Sequence, residues 1–257
     1  MSAPGRVSPR DGVAWVTGAS EGIGRALAIG LARAGWRVAA TARGAEALAS
    51  LAGEHSAIRS YPADVTDRVV MADTFSKIVE NEGPIALAVL NAGIYLPVDA
   101  CAPDVRAFEQ SLSTNVMGVV HALSPVTPHM IIAGRGHIVI MGSATGYGGL
   151  PTAAAYGATK AALNNLAETL SIELHRHGLR VSIVNPGFVD TQATRANTFA
   201  MPFLMSPQDA AQHILRGLGT GAFEIAFPRR FIAMFKVLRL LPAGVRLWII
   251  RRATKWT

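Results

Sequence analysis

A single cysteine, Cys101, occurs among the 257 residues, so the chain cannot close an internal disulfide. The sequence also lacks internal repeats and low-complexity linkers, which favours one domain over several. The polar residues 1–6 contain no hydrophobic core of a signal peptide, and residues 1–10 are expected to be a frayed lead-in. These absences predict a protein of a reducing, cytoplasmic compartment.

Several binding and catalytic patterns are missing as well. The histidines show no shared metal-ligand spacing, so no metal site is predicted. No Gly-x-Ser-x-Gly turn surrounds Ser143, which argues against a serine hydrolase. Because no nucleic-acid recognition module is visible, we expect no nucleic-acid partner.

Acidic residues are missing from the C-terminal region. The formal net charge is +7, but all of the excess follows Ile225, where eight basic residues and no acid occur; the rest of the chain has sixteen basic against seventeen acidic residues. The eight are Arg229, Arg230, Lys236, Arg239, Arg246, Arg251, Arg252 and Lys255.

Residues 229–257 are also rich in aliphatic and aromatic side chains. They predict a basic amphipathic helix, broken near Pro242 and followed by a second short one, as an extension of the domain formed by residues 1–228. Charges interrupt every apolar stretch, so a membrane span is not predicted. One interpretation places this region in the cytoplasmic membrane interface, with Trp248 and Trp256 at the boundary. The alternative is that its apolar face covers the protein's own pocket or a neighbouring subunit.

Glycines cluster directly after the first apolar run of the chain. The motif Thr17-Gly18-Ala19-Ser20-Glu21-Gly22-Ile23-Gly24 lies between a strand-like and a helix-like segment. A strand, a glycine-rich turn and a helix N-terminus together form a site for the pyrophosphate of a dinucleotide. The glycine spacing is three then one, which differs from the one-then-two spacing of the common fingerprint.

Short apolar runs separated by helical patterns predict a three-layer α/β sandwich with a mostly parallel sheet of seven strands. The strands are expected to begin near Val13, Arg37, Ala57, Ile85, His137, Leu179 and Phe223. In an open parallel sheet, ligands bind beyond the carboxyl ends of the strands. Asp64, Asn91, Ser143 and Pro186 follow four of these runs, so we expect them to share one edge with Gly18.

Tyr156 and Lys160 are four residues apart at the start of a helical pattern, so their side chains share one helix face. A nearby ammonium favours phenolate, and the pair predicts a proton-transfer device in which Lys160 lowers the pKa of Tyr156. Ser143 precedes Tyr156 by thirteen residues, which allows its hydroxyl to hydrogen-bond a substrate oxygen that Tyr156 protonates.

Together these motifs resemble the short-chain dehydrogenase/reductase family, in its shorter oxidoreductase branch. The resemblance covers roughly residues 11 to 227 and implies a Rossmann-type, doubly wound αβα fold. The matching residues are Thr17, Gly18, Gly22, Ile23, Gly24, Asp64, Val65, Asn91, Ala92, Gly93, Asn115, Ser143, Tyr156, Lys160, Pro186, Gly187 and Thr191.

The resemblance implies a role for each of these residues. Tyr156 is expected to be the general acid or base, Lys160 to hold the nicotinamide ribose, Ser143 to orient the substrate oxygen, and Asn115 to hold a water of a proton relay. Asp64 and Val65 would bind the adenine. Gly18, Gly22 and Gly24 would pack against the pyrophosphate, and Thr17, Ser20, Glu21 and Ile23 of the same motif are also expected to bind the cofactor. Asn91, Ala92 and Gly93 would support the cofactor and the strand behind it. The nicotinamide carboxamide would be held by the stretch with Pro186, Gly187, Val189 and Thr191.

The end of the second strand predicts the choice of cofactor. NAD-binding sites place an acid there for the ribose 2′-hydroxyl, whereas a nearby arginine suits a 2′-phosphate. Here Ala42 stands at the acid's position and Arg43 follows it, which favours NADP(H) over NAD(H). Glu21 opposes this mildly, because some NADP-binding relatives have a basic residue there.

The expected function is therefore NADP(H)-dependent reduction of a ketone or oxidation of a secondary alcohol. An apolar lid between Thr191 and Ser206 suggests an apolar, lipid-like or steroid-like substrate, with Tyr95, Leu96, Tyr147 and Leu150 as candidates for the pocket wall. The helices near residues 104–129 and 152–175 pair subunits in relatives, so a homodimer or homotetramer is expected. The competing function is a catalytically silent cofactor sensor or membrane-associated scaffold.

Overall fold

Seven parallel strands form one sheet in the computed structural model, which describes residues 4–195 and 201–254. Their order across the sheet is β3-β2-β1-β4-β5-β6-β7, and every pairing is parallel. The strands are β1 (Val13–Thr17), β2 (Val38–Thr41), β3 (Ile58–Ser60), β4 (Ile85–Leu90), β5 (Gly136–Met141), β6 (Leu179–Pro186) and β7 (Glu224–Phe227). The predicted fold class and the seven predicted strands are confirmed.

Helices cover both faces of this sheet. They are α1 (Gly22–Arg33), α2 (Ala45–Glu54), α3 (Arg68–Glu82), α4 (Val105–Ser111), α5 (Gly118–Ala133), α6 (Ala154–His175), α7 (Gln192–Arg195), α8 (Pro207–Thr220), α9 (Arg229–Leu240) and α10 (Ala243–Thr254). Every residue of β1, β4 and β5 is buried, which explains why these strands read as continuous apolar runs rather than alternating ones.

Two apolar clusters form the core, one on each face of the sheet. One packs α1 and α8 against the sheet through residues such as Leu27 and Ile214. The other packs α3, α5 and α6 on the opposite face, with Trp15, Met130 and Leu163 among its members. The strand order reverses between β1 and β4, and the carboxyl ends of the strands there leave a crevice in which such folds bind ligands.

A π-helical stretch, Leu112–Met117, joins α4 to α5, so that helix continues without interruption over residues 105–133. This segment is long and apolar enough by length and composition to cross a bilayer. Its residues Val119, Ala122 and Val126 are nevertheless buried in the core against the sheet. We therefore describe it as a core helix of the domain.

The C-terminal region forms two helices, α9 and α10, with the predicted break at Pro242 between them. The inner face of α9 is buried: Phe231, Ile232 and Phe235 pack against Ala144 and Tyr147. In contrast, no residue of α10 is buried. The apolar face of α9 thus covers the protein itself, as one of the two sequence interpretations expects, while α10 stays on the surface. Lys255 and Trp256 lie outside the described residues.

Candidate active site

The glycine-rich turn after β1 packs closely against the end of β4. Gly18 has φ of +65°, and a Cβ atom there would come within 2.7 Å of the Ala92 Cα atom. The Asn91 side-chain amide donates to the carbonyls of Thr17 and Gly18 at 3.0 and 3.1 Å, and the Thr17 hydroxyl accepts from the Asn91 and Ala92 amides. Two segments far apart in sequence are thereby fixed as one wall of the crevice.

The N-terminus of α1 opens into this crevice. Its first backbone N–H groups are not bonded by a side-chain cap, and a Cβ atom on Gly22 would come within 3.0 Å of Thr191 Cγ2. Uncapped N–H groups and the helix dipole favour an anionic ligand, and the glycines let the backbone approach it closely. This turn therefore fits the pyrophosphate of a dinucleotide.

A cleft of about 380 Å³ extends from this turn along the carboxyl ends of the strands. Most of the residues that the sequence predicts to bind the cofactor line this cleft. These are Gly18, Ser20, Glu21, Gly22, Ile23, Gly24, Arg43, Asp64, Val65, Asn91, Ala92, Gly93, Tyr156, Lys160, Pro186 and Thr191. Thr17 lies behind the cleft wall, and Gly187 and Val189 line a neighbouring cavity instead.

The distal end of the cleft is formed by the loops after β2 and β3. Ala42 is buried there, whereas Arg43 is exposed and has no hydrogen bond or ion pair to any other described residue. Asp64 accepts hydrogen bonds from the backbone and hydroxyl of Thr66, which fix the orientation of its carboxylate, and Val65 is buried beside it. The arginine is thus free to meet a ligand anion at this end.

At the opposite end of the cleft, Ser143 and Tyr156 lie beside a second cavity of about 120 Å³. The Ser143 Oγ accepts from the Thr145 N–H at 3.2 Å and from the Thr145 hydroxyl at 3.0 Å. Because these two bonds occupy the acceptor positions of the oxygen, the Ser143 hydroxyl proton is left to donate. The Ser143 side chain also lowers the pKa of the Tyr156 phenol, and both side chains line this cavity.

Burial governs the acidity of the tyrosine. It raises the pKa of Tyr156 to about 12, against the opposing effect of the Ser143 hydrogen bond, and the neighbouring Tyr95 raises it further. The sequence-based expectation of a pKa lowered by Lys160 is therefore wrong in direction. The reason is that desolvation disfavours the phenolate more strongly than the nearby groups favour it.

The lysine is buried too, with its ammonium 5.4 Å from the centre of the Tyr156 ring. Its Nζ donates to the Met141 carbonyl at 2.6 Å, at the end of β5. Burial lowers the pKa of Lys160 to about 8. The spacing of four residues along α6 does place the two side chains on one face, as predicted.

Asn115 lies in the π-helical stretch, a geometry often found at functional sites. Its Oδ1 accepts from the Ile94 N–H at 2.7 Å, and its Nδ2 donates to the Ile94 carbonyl and to the Thr159 hydroxyl, each at 3.0 Å. The side chain therefore braces the loop after β4 against α6, directly beside Lys160. The predicted role of Asn115 in holding a relay water stays a prediction.

The second cavity is largely apolar, and its wall differs in part from the expected one. Tyr95 and Leu150 line it as predicted, and the Tyr95 ring meets Tyr156 edge to face with the ring centres 5.2 Å apart. Leu96 instead packs against Val98 and Ala107, and Tyr147 is turned away into a bond with Glu224.

Phe231 of α9 also lines this cavity, a contribution that sequence reasoning missed. It packs on Phe188, with ring centres 5.5 Å apart. The apolar periodicity of residues 229–241 marked α9 as a packed helix, but nothing in the local pattern indicated which surface it would cover.

The lid is described in part. Phe199, one of the apolar residues of the predicted lid between Thr191 and Ser206, lies outside the described residues. The Met205 N–H donates to the Phe188 carbonyl at 3.1 Å, and the exposed Phe203 has its ring centre 6.3 Å from that of Phe231. The described end of the lid is therefore attached next to the apolar cavity.

Comparison with known proteins agrees with this geometry. The short chain dehydrogenase family model matches residues 12–201. The chain is 36% identical over 233 residues to an uncharacterised oxidoreductase of Myxococcus xanthus, covering 89% of this chain and 92% of the relative. It is 37% identical over 198 residues to a gluconate 5-dehydrogenase of Gluconobacter oxydans, covering 76% and 77%. The closed form of a serine dehydrogenase complexed with NADP⁺ superimposes with a TM-score of 0.76 at 26% identity, covering 84% and 94%. The chain belongs to the short-chain dehydrogenase/reductase family and is an NAD(P)-dependent oxidoreductase.

Proposed function

From this family membership we propose that the protein reduces an apolar ketone with NADPH, or oxidises the matching secondary alcohol, with Tyr156 as the proton-transferring residue. The observation that carries the proposal is the position of Tyr156. Among the titratable side chains that line the two cavities in the described residues, it alone lines both the cofactor-sized cleft and the apolar cavity. The direction of the reaction follows the cofactor ratio in the cell.

The chemistry assigns a distinct task to each residue. A bound nicotinamide supplies the hydride to the carbonyl carbon. Negative charge then develops on the carbonyl oxygen, where the Ser143 hydroxyl donates a hydrogen bond and the Tyr156 hydroxyl gives up its proton to form the alcohol. Lys160 holds a positive charge next to the phenolate that remains. With a pKa of about 12, Tyr156 is fully protonated at neutral pH, which suits the reductive direction.

The experiment that tests this assignment removes one phenol hydroxyl. Tyr156→Phe should leave cofactor affinity nearly intact and reduce turnover by about 10²–10⁴-fold, because only the transferable proton is lost. Tyr95→Phe is the matched control: it deletes a hydroxyl that bonds Thr152 at 2.9 Å and keeps the ring beside Tyr156. A screen of hydrophobic ketones and alcohols, read by cofactor absorbance, supplies the assay. Comparable turnover in wild type and Tyr156→Phe would refute the mechanism.

An enzyme is favoured over the competing cofactor sensor. A sensor needs the dinucleotide cleft alone, whereas here a separate apolar cavity opens at the same phenol. Tyr95, Leu150, Phe188 and Phe231 give that cavity walls suited to a lipid-like or steroid-like substrate. The aromatic content of the wall supports the apolar substrate class.

We also propose a homodimer or homotetramer assembled through α5, α6 and the stretch before them. Leu112 and Met117 of the π-helical stretch and Ile172 of α6 are exposed apolar side chains, with Ile172 exposed to 78%. Such side chains on helices that pair subunits in the family support self-association. Sedimentation of the Ile172→Glu variant against wild type tests this assembly.

A third proposal concerns the C-terminal helices, which we propose bind an anionic membrane surface at the cytoplasmic face. While the inner face of α9 is buried, its outer face carries the exposed Met234, Val237 and Leu240, and α10 exposes Leu247 and Trp248. Around these apolar side chains, α9 and α10 carry seven basic residues and no acid. An apolar surface surrounded by cations matches an anionic bilayer interface.

Charge argues against a second copy of the chain as the occupant of this surface. A two-fold interface places the same patch on both subunits, so it would bring two sets of cations together. Each basic residue near an anionic surface contributes about 1 kcal/mol, which makes the interaction sensitive to salt. Arg216 of α8 lines a groove together with Arg229 and Lys236 of α9, so it adds one cation next to the seven already counted.

Removal of α10 alone tests membrane binding without damaging the fold, because none of its residues is buried. A chain ending at residue 242 should keep its reductase activity and lose most of its sedimentation with phosphatidylglycerol vesicles. Phosphatidylcholine vesicles and high salt are the controls. Unchanged binding to the anionic vesicles after this truncation would contradict the proposal, as would a change in oligomeric state without any vesicle binding by wild type.

A further inference from the structure

Beyond the residues that would touch substrate, a polar network holds the backbone of Ser143. The Ser143 N–H donates to Asn185 Oδ1 at 2.9 Å, at the end of β6. The Asn185 amide nitrogen in turn lies 3.0 Å from Asn164 Oδ1 on α6 and 3.3 Å from Glu224 Oε1 on β7. The position of the Ser143 backbone, and with it that of the hydroxyl donor, thus depends on Asn185, which bonds both α6 and β7.

Among the described residues, Glu224 is the only charged residue that forms a hydrogen bond with the Asn185 side chain. Its carboxylate also accepts from the Tyr147 hydroxyl and from the Lys236 ammonium of α9. Burial would raise the pKa of Glu224, but the hydrogen bonds from Lys236, Tyr147 and Asn185 outweigh it and lower the pKa. The group is therefore a carboxylate at neutral pH and can hold three donors from three different parts of the chain.

Two of these donors, Asn185 and Tyr147, hold the two ends of the short helical turn Ala144–Tyr147, which follows Ser143. Asn185 holds the beginning of this turn, and Glu224 holds its last residue. Apolar contacts with Phe231, Ile232 and Phe235 cover the turn from the side of α9, and the Lys236 ammonium lies 5.8 Å from the centre of the Tyr147 ring. The turn is fixed between the sheet and α9.

The backbone around this turn has little room to move. A Cβ atom on Gly142 would overlap the Asn185 side-chain oxygen, and one on Gly146 would overlap the Asn164 side-chain nitrogen. Both amides therefore pack directly on the main chain next to Ser143. A shift of either amide has to displace the segment that carries the hydroxyl.

We infer that Glu224 is a positioning residue for Ser143, held in place by Lys236, and that α9 is thereby part of the catalytic apparatus as well as of the surface. The inference rests on the proposed reductase function. The Glu224 carboxylate holds the Asn185 and Tyr147 side chains in place, and these two residues in turn hold the backbone of Ser143 in position. Because a displacement of about 1 Å in a catalytic group can cost roughly 10²-fold in rate, the network acts on turnover.

The test replaces Glu224 by its neutral isostere. Glu224→Gln should lower kcat roughly tenfold or more, whereas the Kd for NADPH, measured by fluorescence titration, should stay within about twofold, since Ser143 faces substrate rather than cofactor. Lys236→Met should reproduce the loss, and Lys236→Arg should retain activity because it keeps the cation. Asp73→Asn is the matched control: it removes an acid from the exposed Lys77–Asp73 pair on α3 and should change neither quantity.

A second background makes the test specific for Ser143. If Glu224 acts through Ser143, Glu224→Gln should lower the residual turnover of Ser143→Ala by less than about twofold. An equal fold loss in both backgrounds would overturn the inference, as would a parallel loss of cofactor affinity and turnover in Glu224→Gln and Lys236→Met. Failure of the proposed function looks different: wild type would then reduce no ketone in the screen, or Tyr156→Phe would turn over like wild type.

Discussion

Replacement of Arg43 offers a quantitative test of how the cleft selects its cofactor. Arg43 is exposed at the end of the cleft next to the buried Ala42, and its guanidinium has no partner among the described residues. No existing hydrogen bond or ion pair therefore has to break for Arg43 to bind the 2′-phosphate of NADP(H). Arg43→Ala removes that interaction and little else.

The size of the effect follows from the exposure of Arg43. A hydrogen bond to a charged group contributes about 1.5–3 kcal/mol, and exposure places Arg43 at the lower end of that range. A loss of about 1.4 kcal/mol corresponds to about tenfold in binding. We expect Arg43→Ala to raise the KM for NADPH about tenfold and to change the KM for NADH less than twofold, with the NADPH effect weakening as salt screens the pair.

The assay is steady-state kinetics with both cofactors and one ketone. Arg33→Ala, a change of another exposed arginine at the end of α1, is the control for the loss of a surface charge. Arg43→Asp should reverse the preference, because a carboxylate there can accept a hydrogen bond from the ribose 2′-hydroxyl. A wild-type preference for NADH would refute the reasoning, as would an equal loss with both cofactors in Arg43→Ala.

Three further outcomes follow from the described contacts. Phe231→Ala should raise the KM for a small apolar ketone and shift the preference towards larger substrates, with NADPH affinity unchanged, since Phe231 lines the apolar cavity and not the cofactor cleft; equal losses for substrate and cofactor in kinetics would contradict this. Lys160→Met should damage both cofactor binding and turnover, in contrast to Tyr156→Phe; a variant with normal NADPH affinity in titration would show that Lys160 does not hold the ribose. Burial, followed by the charge of Arg180, lowers the pKa of His137 from 6.5 to about 4, so stability that is present above pH 6.5 should be lost as the pH falls towards 4, by roughly 2 kcal/mol at pH 5. Denaturant unfolding at pH 7 and pH 5 measures this loss of stability. His137→Gln keeps a donor towards Ser182 and should make the free energy of unfolding depend less on pH. An equal loss of stability between pH 7 and pH 5 in that variant would rule out His137 as the cause.

The sequence alone determined the strands, their order of appearance and the positions of the chemical motifs. These features are local. A continuous apolar run is typical of a parallel strand that is buried on both faces, and a glycine-rich turn before a helix indicates a phosphate-binding site. The arrangement of Asp64, Asn91, Ser143 and Pro186 on one edge also followed, because parallel strands bring their carboxyl ends together.

Tertiary structure decided the environment of these residues. Desolvation raises the pKa of Tyr156, although the helical spacing from Lys160 suggested the opposite, because the extent of burial depends on everything packed around the helix. The direction of the Tyr147 side chain, towards Glu224 rather than into the cavity, could not be read from either residue, since 77 positions separate them. The same holds for the packing of α9. Its periodicity predicted an apolar face, but the surface that this face covers, beside Ser143, forms only when β5, β6 and β7 pair in the sheet.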